Sequence, residues 1–326
     1  MRTRWLPVAA LAVLAPVCAE YVWGYDDSTG HPGELVGNLV VFTPLYGCPA
    51  LLIRELARRR GLGWPGIVLL AAAFGVVEAG LVDQSMFSRD YRDIPYWHQM
   101  ADPTYVAPIG LSIFLAVSFV ANHVLASMVG PIAVVEGLAG RRGQDPWLGR
   151  AVVVVAAPLY AGASALVLRD MFTTEDDHAS AGQLVGAGIA AVLLVAGALR
   201  RGRRVPTRVA GRAPSPWLVA PAACAVATGS QLLPPSPLGT DALIAVLAGS
   251  TALVWWVSRR PGWSSRHVAA LAAGWLTSFA AFAFGTEPIG HVTHADKLGH
   301  NVALLVLMAA VGSLAVVRAR GRSVAG

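Results

Sequence analysis

Residues 54–83 read RELARRRGLGWPGIVLLAAAFGVVEAGLVD. Four arginines come first, then glycines and an indole at Trp64. An apolar run follows to Val82, interrupted by a single charge at Glu78 and closed by Asp83. At about 1.5 Å per residue, Trp64 to Val82 is long enough to cross a hydrocarbon core of about 30 Å. The stretch reads as one membrane span with an arginine-rich end and an acidic end.

The same unit recurs on both sides of it. Apolar runs of spanning length lie near 5–23, 34–53, 64–82, 106–139, 151–168, 182–198, 215–233, 241–257, 267–286 and 299–317. Of 326 residues 55% are hydrophobic and 13% charged, with mean hydropathy +0.57. An average soluble chain is about 25% charged, so a disordered chain, a disulfide scaffold and an ordinary soluble enzyme are excluded. The expectation is an all-α polytopic bundle of about ten spans. The 106–139 run is too long for one straight crossing; a kink at Pro131, a tilt, or an extension past the bilayer would accommodate it. At the N-terminus Arg2 and Arg4 precede an apolar stretch that resembles a signal peptide, but it continues to Trp23, which favours an uncleaved first span.

Charge sets the orientation. With the N-terminus inside, 21 of the 25 basic residues fall on inner segments, leaving only Arg89, Arg92, Arg169 and Lys297 outside. Fourteen of 19 acids and six of eight histidines fall on the outer side. Such a bias places both termini in the cytoplasm of a bacterial plasma membrane. The inner segments contain Arg2 and Arg4, Arg200 to Arg204, and Arg318 to Arg322. The arginine-rich connector 199–214 is the longest of them and divides an N-terminal six-span bundle, 1–198, from a C-terminal four-span bundle, 215–326. Trp64, Trp147, Trp217 and Trp263 each follow basic residues and read as headgroup-level anchors. The net charge of +6 belongs to this orientation rather than to nucleic acid, for which no motif is present. Cys18, Cys48 and Cys224 lie in apolar stretches without metal or redox spacing.

Ionisable groups inside a bilayer are costly and tend to be functional. Glu78 lies about one turn inside the outer end of its span, and His123 lies inside every crossing window of the 106–139 run. A carboxylate beside an imidazole can hold a proton, a cation or a metal-bound water, so these two are the candidate catalytic residues. Glu136, near Arg141 and Arg142, reads as an interfacial ion pair, and Glu20 as a similar group at the outer end of the first span. The segment 83–105 carries Tyr91, Tyr96, Trp97, His98 and Tyr105 and reads as a lid or an interfacial patch. The last outer loop, EPIGHVTHADKLGHN over 287–301, adds His294 and His300. With His123 they make a loose metal-ligand set for a divalent ion such as zinc.

Two resemblances bear on this chemistry. Phe119-Val-Ala-Asn-His123 resembles the Phe-x-x-x-His motif of CPBP-type intramembrane proteases. That likeness implies a metal-activated water, with Glu78 as base or ligand and His123 as ligand. The family's paired glutamates and following arginine are only partly matched, since Ala79 follows Glu78 and Asp83 stands where arginine is expected. Asp296-Lys297-Leu-Gly-His300 resembles the Asp-Lys-x-x-His pattern that precedes an apolar span in VanZ-like membrane proteins. The Ala, Val, Gly and Arg bias, with one lysine, is similar to that of uncharacterised multi-span proteins of high-GC bacteria. Three function classes follow: a transporter-like protein with an outward polar site, a CPBP-like hydrolase, and a non-catalytic scaffold or accessory subunit. The implied partners are the bilayer and a small solute or membrane peptide.

Overall fold

A computed structural model describes residues 3–201 and 207–319. Arg2, Arg203, Arg204, Arg320, Arg322 and part of the 199–214 connector lie outside the described residues. Among the described residues ten long helices follow in order, with a short helix Trp97–Ala101 between the third and fourth: α1 Trp5–Trp23, α2 Pro32–Arg60, α3 Gly63–Val82, α4 Ile113–Arg142, α5 Arg150–Thr174, α6 Ala181–Arg201, α7 Pro216–Gln231, α8 Pro237–Val257, α9 Ser265–Gly285 and α10 His294–Arg318. Among the described residues nine are long and apolar enough to cross a membrane; α7, at 16 residues, is the short one. Helix is the form that satisfies every backbone polar group without water. The ends are cut by local chemistry. Prolines stand in the first turn of α2, α7 and α8, where a missing N–H costs nothing. Ser112, Ser236 and Thr293 cap α4, α8 and α10 through their hydroxyls.

The 106–139 run does not cross as expected from residue 106. Tyr105–Val106 (β1) pairs antiparallel with Leu111–Ser112 (β2), turning at Gly110 with φ +59°. These residues form a small hairpin at the membrane end, and α4 starts only at Ile113. From there one helix runs to Arg142, and Pro131 sits just after a widened turn over His123–Val129.

Helix α4 is the axis of the packing. Its Met128, Ile132 and Val135 join a core with Leu11, Leu45, Ile67 and Phe74 from α1 to α3. Its Ala126, Ala133 and Val134 join a second core with Leu276, Phe279 and Met308 from α9 and α10. Helix α1 contributes to both, so the two cores share α1 and α4 across the 199–214 boundary. The second core is dense in small residues. A Cβ on Gly274 would collide with the Ala220 carbonyl, the close backbone approach by which helices associate in lipid. Helices α5, α6 and α8 are peripheral and present Val154, Leu166, Val192, Leu193 and Leu253 outward as lipid-facing surface.

The loops gather at two ends as the charges require. At the arginine-rich end Arg4 pairs with Asp145 at 2.9 Å, Gln144 meets Ser265, and Arg266 donates to the Ala319 carbonyl. At the other end Arg92 pairs with Asp170, Gln84 accepts from the Ala179 amide, and Ile289 donates to the Tyr25 carbonyl. The tryptophans depart from the belt reading. Trp147 is fully buried, donating from Nε1 to the Arg142 carbonyl, and Trp263 is buried against His267; of the four, only Trp217 is exposed as an anchor would be. Trp64 lies half-buried below Arg58.

Candidate functional site

Three helices each contain one widened, π-type turn: Thr43–Gly47 in α2, Glu78–Val82 in α3 and His123–Val129 in α4. The i→i+5 bonds Cys48 N to Thr43 O, Asp83 N to Glu78 O at 3.0 Å, and Gly130 N to Leu125 O close them. Such turns recur at functional positions because an extra residue re-aims the side chains around it. Here they carry Tyr46, Glu78 and His123; the packing stacks Tyr46 on His123 and sets Glu78 within electrostatic range of Tyr46.

Phe74 is the hub. Its ring meets Tyr46 at 6.1 Å, His123 at 5.7 Å and Tyr160 of α5 at 6.0 Å, while Tyr46 stacks on His123 at 6.2 Å. Glu78 lies one turn beyond Phe74 on the same helix face. Its carboxylate interacts electrostatically with Asp83, Glu20, Tyr46 and Tyr160. Helices α3 and α4 can approach because residue 75 is glycine: an added Cβ would lie 3.1 Å from the His123 Cβ and 3.2 Å from the Val120 carbonyl. Gly47 plays the same part for α2 against the Ala12 carbonyl of α1.

Glu78 is 1% exposed, and its Oε2 has no hydrogen-bond partner among the described residues. An unpaired carboxylate oxygen in a low-dielectric core is expensive, so the group favours a proton or another positive partner. His123 places Nδ1 3.3 Å from the Ser127 hydroxyl. No hydrogen bond or ion pair joins Glu78 to His123 directly; they share Tyr46 and Phe74. Glu20 accepts a 2.7 Å bond from Tyr25, and the Tyr46 hydroxyl faces the same carboxylate. Glu20 is therefore a buried member of the cluster rather than an interfacial acid. Tyr46 and Tyr160 also belong to it. Their only sequence signal is a hydroxyl within an apolar span, which is too common to select them.

The 83–105 segment closes the acidic end over this cluster. Trp97 is buried, donates from Nε1 to the Ser88 carbonyl at 3.0 Å, and stacks on Phe119 at 5.8 Å, one turn above His123. Tyr91 packs on Trp97 at 4.8 Å. Tyr96 is half-buried, His98 is exposed and pairs with Asp102, and Tyr105 lies under the Arg89 guanidinium. Gln84, Arg92 and Asp93 adopt left-handed backbone (φ 57°, 52° and 49°), held by the Gln84–Ala179 and Arg92–Glu175 bonds. Burial raises the Asp83 carboxyl from the ordinary 3.8 to about 6, opposed by the Ser85 amide and hydroxyl and by Arg92.

The two loop histidines are placed elsewhere. His294 is exposed at the first residue of α10. His300 is buried, facing the Tyr21 carbonyl through Nε2 at 2.9 Å and the Gly30 amide through Nδ1 at 3.4 Å, which assigns the Nε2–H tautomer. A metal on His300 would have to displace one of these. Asp296 accepts from Thr293 at 2.6 Å, Lys297 donates to the Thr286 carbonyl, and Asn301 donates to the Ala283 carbonyl. Among the described residues no group of three His, Cys, Asp or Glu converges, whereas a catalytic zinc usually takes three protein ligands.

Glu136 pairs differently from the expectation. Its carboxylate binds Arg54 Nε at 3.0 Å and Arg58 Nε at 2.7 Å, not Arg141 or Arg142. Arg54 is wholly buried; it also donates to the Gly143 and Asp145 carbonyls, contacts Glu55, and lies 3.5 Å over the Trp147 ring. Glu55 in turn binds Arg59 at 2.8 Å and the Trp147 amide at 2.8 Å.

The comparisons with known proteins agree with this architecture. Residues 9–283 match the model of an uncharacterized membrane protein family, and the chain belongs to that family. No curated protein and no solved structure matches it.

Proposed function

With membership of a membrane protein family as the premise, we propose that the protein is a transporter-like, solute-handling membrane protein whose working group is the Glu78 carboxyl. The observation that carries the reading is the unpartnered Glu78 Oε2, buried on a widened turn within electrostatic range of Tyr46, whose ring stacks on His123. A carboxyl so placed exchanges charge state at low cost only when a proton or cationic solute arrives with it. Glu20 and Tyr46 extend the polar region toward the acidic end, and His123 with Ser127 extends it deeper. Beyond Ser127 the apolar layer of Met128, Ile132 and Val135 closes the way to the arginine-rich end. We place that end in the cytoplasm of a bacterial plasma membrane, with both termini inside, because arginine is retained on the inner side. The site would then face outward.

The test is proton flux into proteoliposomes carrying an internal pH dye. Wild-type protein should dissipate an imposed pH gradient and Glu78→Gln should not; unaltered flux in the variant discards the reading. The hydrolase reading keeps one supporting observation, the approach of the Phe119–His123 motif to the Glu78 helix at Gly75. Stoichiometric zinc in the purified protein, lost in His123→Ala, would favour it over transport. No flux in wild type or variant, and no bound zinc, would leave a scaffold.

A further inference from the structure

A second feature lies at the arginine-rich end, away from the Glu78 cluster. The C-terminal turns of α4 and α10 and the first turn of α9 enclose an open cleft of about 800 Å³. Its walls are Leu138, Ala139 and Val317, and its rim carries Arg141, Arg266 and Arg318. All three arginines are exposed. They differ from four other arginines of that end, though not from Arg60 and Arg142, which likewise have no carboxylate partner among the described residues. Arg54, Arg58, Arg59 and Arg4 are each neutralised by a carboxylate. Among the described residues none of the three rim arginines has an ion-pair partner, and Arg266 makes only its bond to the Ala319 carbonyl.

Three unneutralised guanidiniums from three helices thus converge above an apolar wall at the end of membrane-length helices. That end is the depth at which lipid phosphates lie. Guanidinium groups match phosphate oxygens in bidentate geometry, and an apolar wall below them suits an acyl chain. We propose that this cleft is a binding site for an anionic phospholipid, with the phosphate held by Arg141, Arg266 and Arg318 and a chain lying along Leu138 and Val317. A soluble anion would find the charge but not the wall. A zwitterionic lipid would find the wall, but its own cation offsets the attraction. Basic pockets between transmembrane helices hold lipid headgroups on this principle.

The experiment measures retained lipid and thermal stability of the full-length protein in detergent, with phosphatidylglycerol, phosphatidylcholine or inorganic phosphate added. Phosphatidylglycerol should bind and raise the Tm; phosphatidylcholine and phosphate should do neither. The triple variant R141Q/R266Q/R318Q should bind phosphatidylglycerol on the order of a hundredfold more weakly, several-fold per arginine. A control triple, R150Q/R208Q/R212Q, removes equal charge from exposed positions off the cleft and should bind as the wild type does. If the first triple does not fold, R318Q and R141Q alone should each weaken binding several-fold. Equal loss in the control, an equal effect of phosphatidylcholine, or an equal shift with inorganic phosphate would each overturn the proposal.

Discussion

Two buried charge clusters occupy opposite ends of this bundle, and they are built on opposite terms. Around Arg54 every charge is answered: Glu136 is clasped by two guanidiniums, Glu55 by another and by a backbone amide, and Arg54 spends its remaining donors on two carbonyls. Around Glu78 the carboxylate oxygen Oε2 is left unanswered, and its electrostatic neighbours are tyrosines and two further acids, Asp83 and Glu20. Burying ions is worthwhile only when geometry and hydrogen bonds return the desolvation cost. The first cluster meets that condition and reads as a lock on the arginine-rich end. The second does not, which is the ground on which Glu78 is proposed as the working group.

The comparison can be broken most directly at Arg54. Arg54→Ala leaves Glu136 with Arg58 alone and Glu55 with Arg59 and the Trp147 amide, and takes the Arg54 donors from two carbonyls, so it should cost ~3 kcal/mol, the lower end for breaking one side of a buried pair. Chemical unfolding in detergent micelles would measure it, and a loss of under ~1 kcal/mol would contradict the lock. Arg54→Lys should recover little, since an ammonium cannot serve carboxylate and carbonyls through one planar fork.

Next comes a matched pair. Glu136→Gln should destabilise by several kcal/mol, about the cost of leaving two buried arginines without their anion. Glu78→Gln, of identical chemistry, should leave unfolding within about 1 kcal/mol of wild type or stabilise it, because it removes an unpaired buried acid. If both variants lose the same stability, the two clusters are not different in kind.

Gly75→Val tests how the second cluster is assembled. The added side chain meets the His123 Cβ and the Val120 carbonyl, so overpacking should cost ~1–3 kcal/mol and separate α3 from α4. A variant as stable as wild type would show that the approach at Gly75 is loose.

A smaller effect is expected at Asp83. Its carboxyl is raised in the folded protein from 3.8 to about 6. The folded state therefore holds the proton more tightly, and the corresponding stability is fully present below pH 3.8 and lost as pH rises through about 6. The Tm of wild type should fall relative to Asp83→Asn across that window and run parallel to it above. Parallel curves throughout would remove Asp83 from the cluster's electrostatics.

Much of this was legible along the chain. Glu78 and His123 stand out because a charge or an imidazole inside an apolar run is conspicuous wherever the run folds. Their shared neighbourhood was not legible, and neither were Tyr46, Tyr160 or the role of Glu20. Glu136 illustrates the reason. Sequence offers Arg141 and Arg142 as nearby cations, yet the partners come from residues 54 and 58, about 80 positions away in the chain. The loop histidines fail in the complementary way: His294 and His300 lie six apart in sequence, but the helix start exposes one and buries the other against α1's end.

What the sequence determined by itself was the solvent: apolar length is summed along the chain, and a bilayer responds to that sum residue by residue. What the tertiary structure decided was who faces whom. In soluble helices a polar face announces the buried one, but spans such as α3 are apolar on every side, so no periodicity marks the packing face. That choice fell to small residues such as Gly47, Gly75 and Gly274, and to widened turns that rotate Tyr46, Glu78 and His123 toward one another. Only close contact between helices gives those features their meaning.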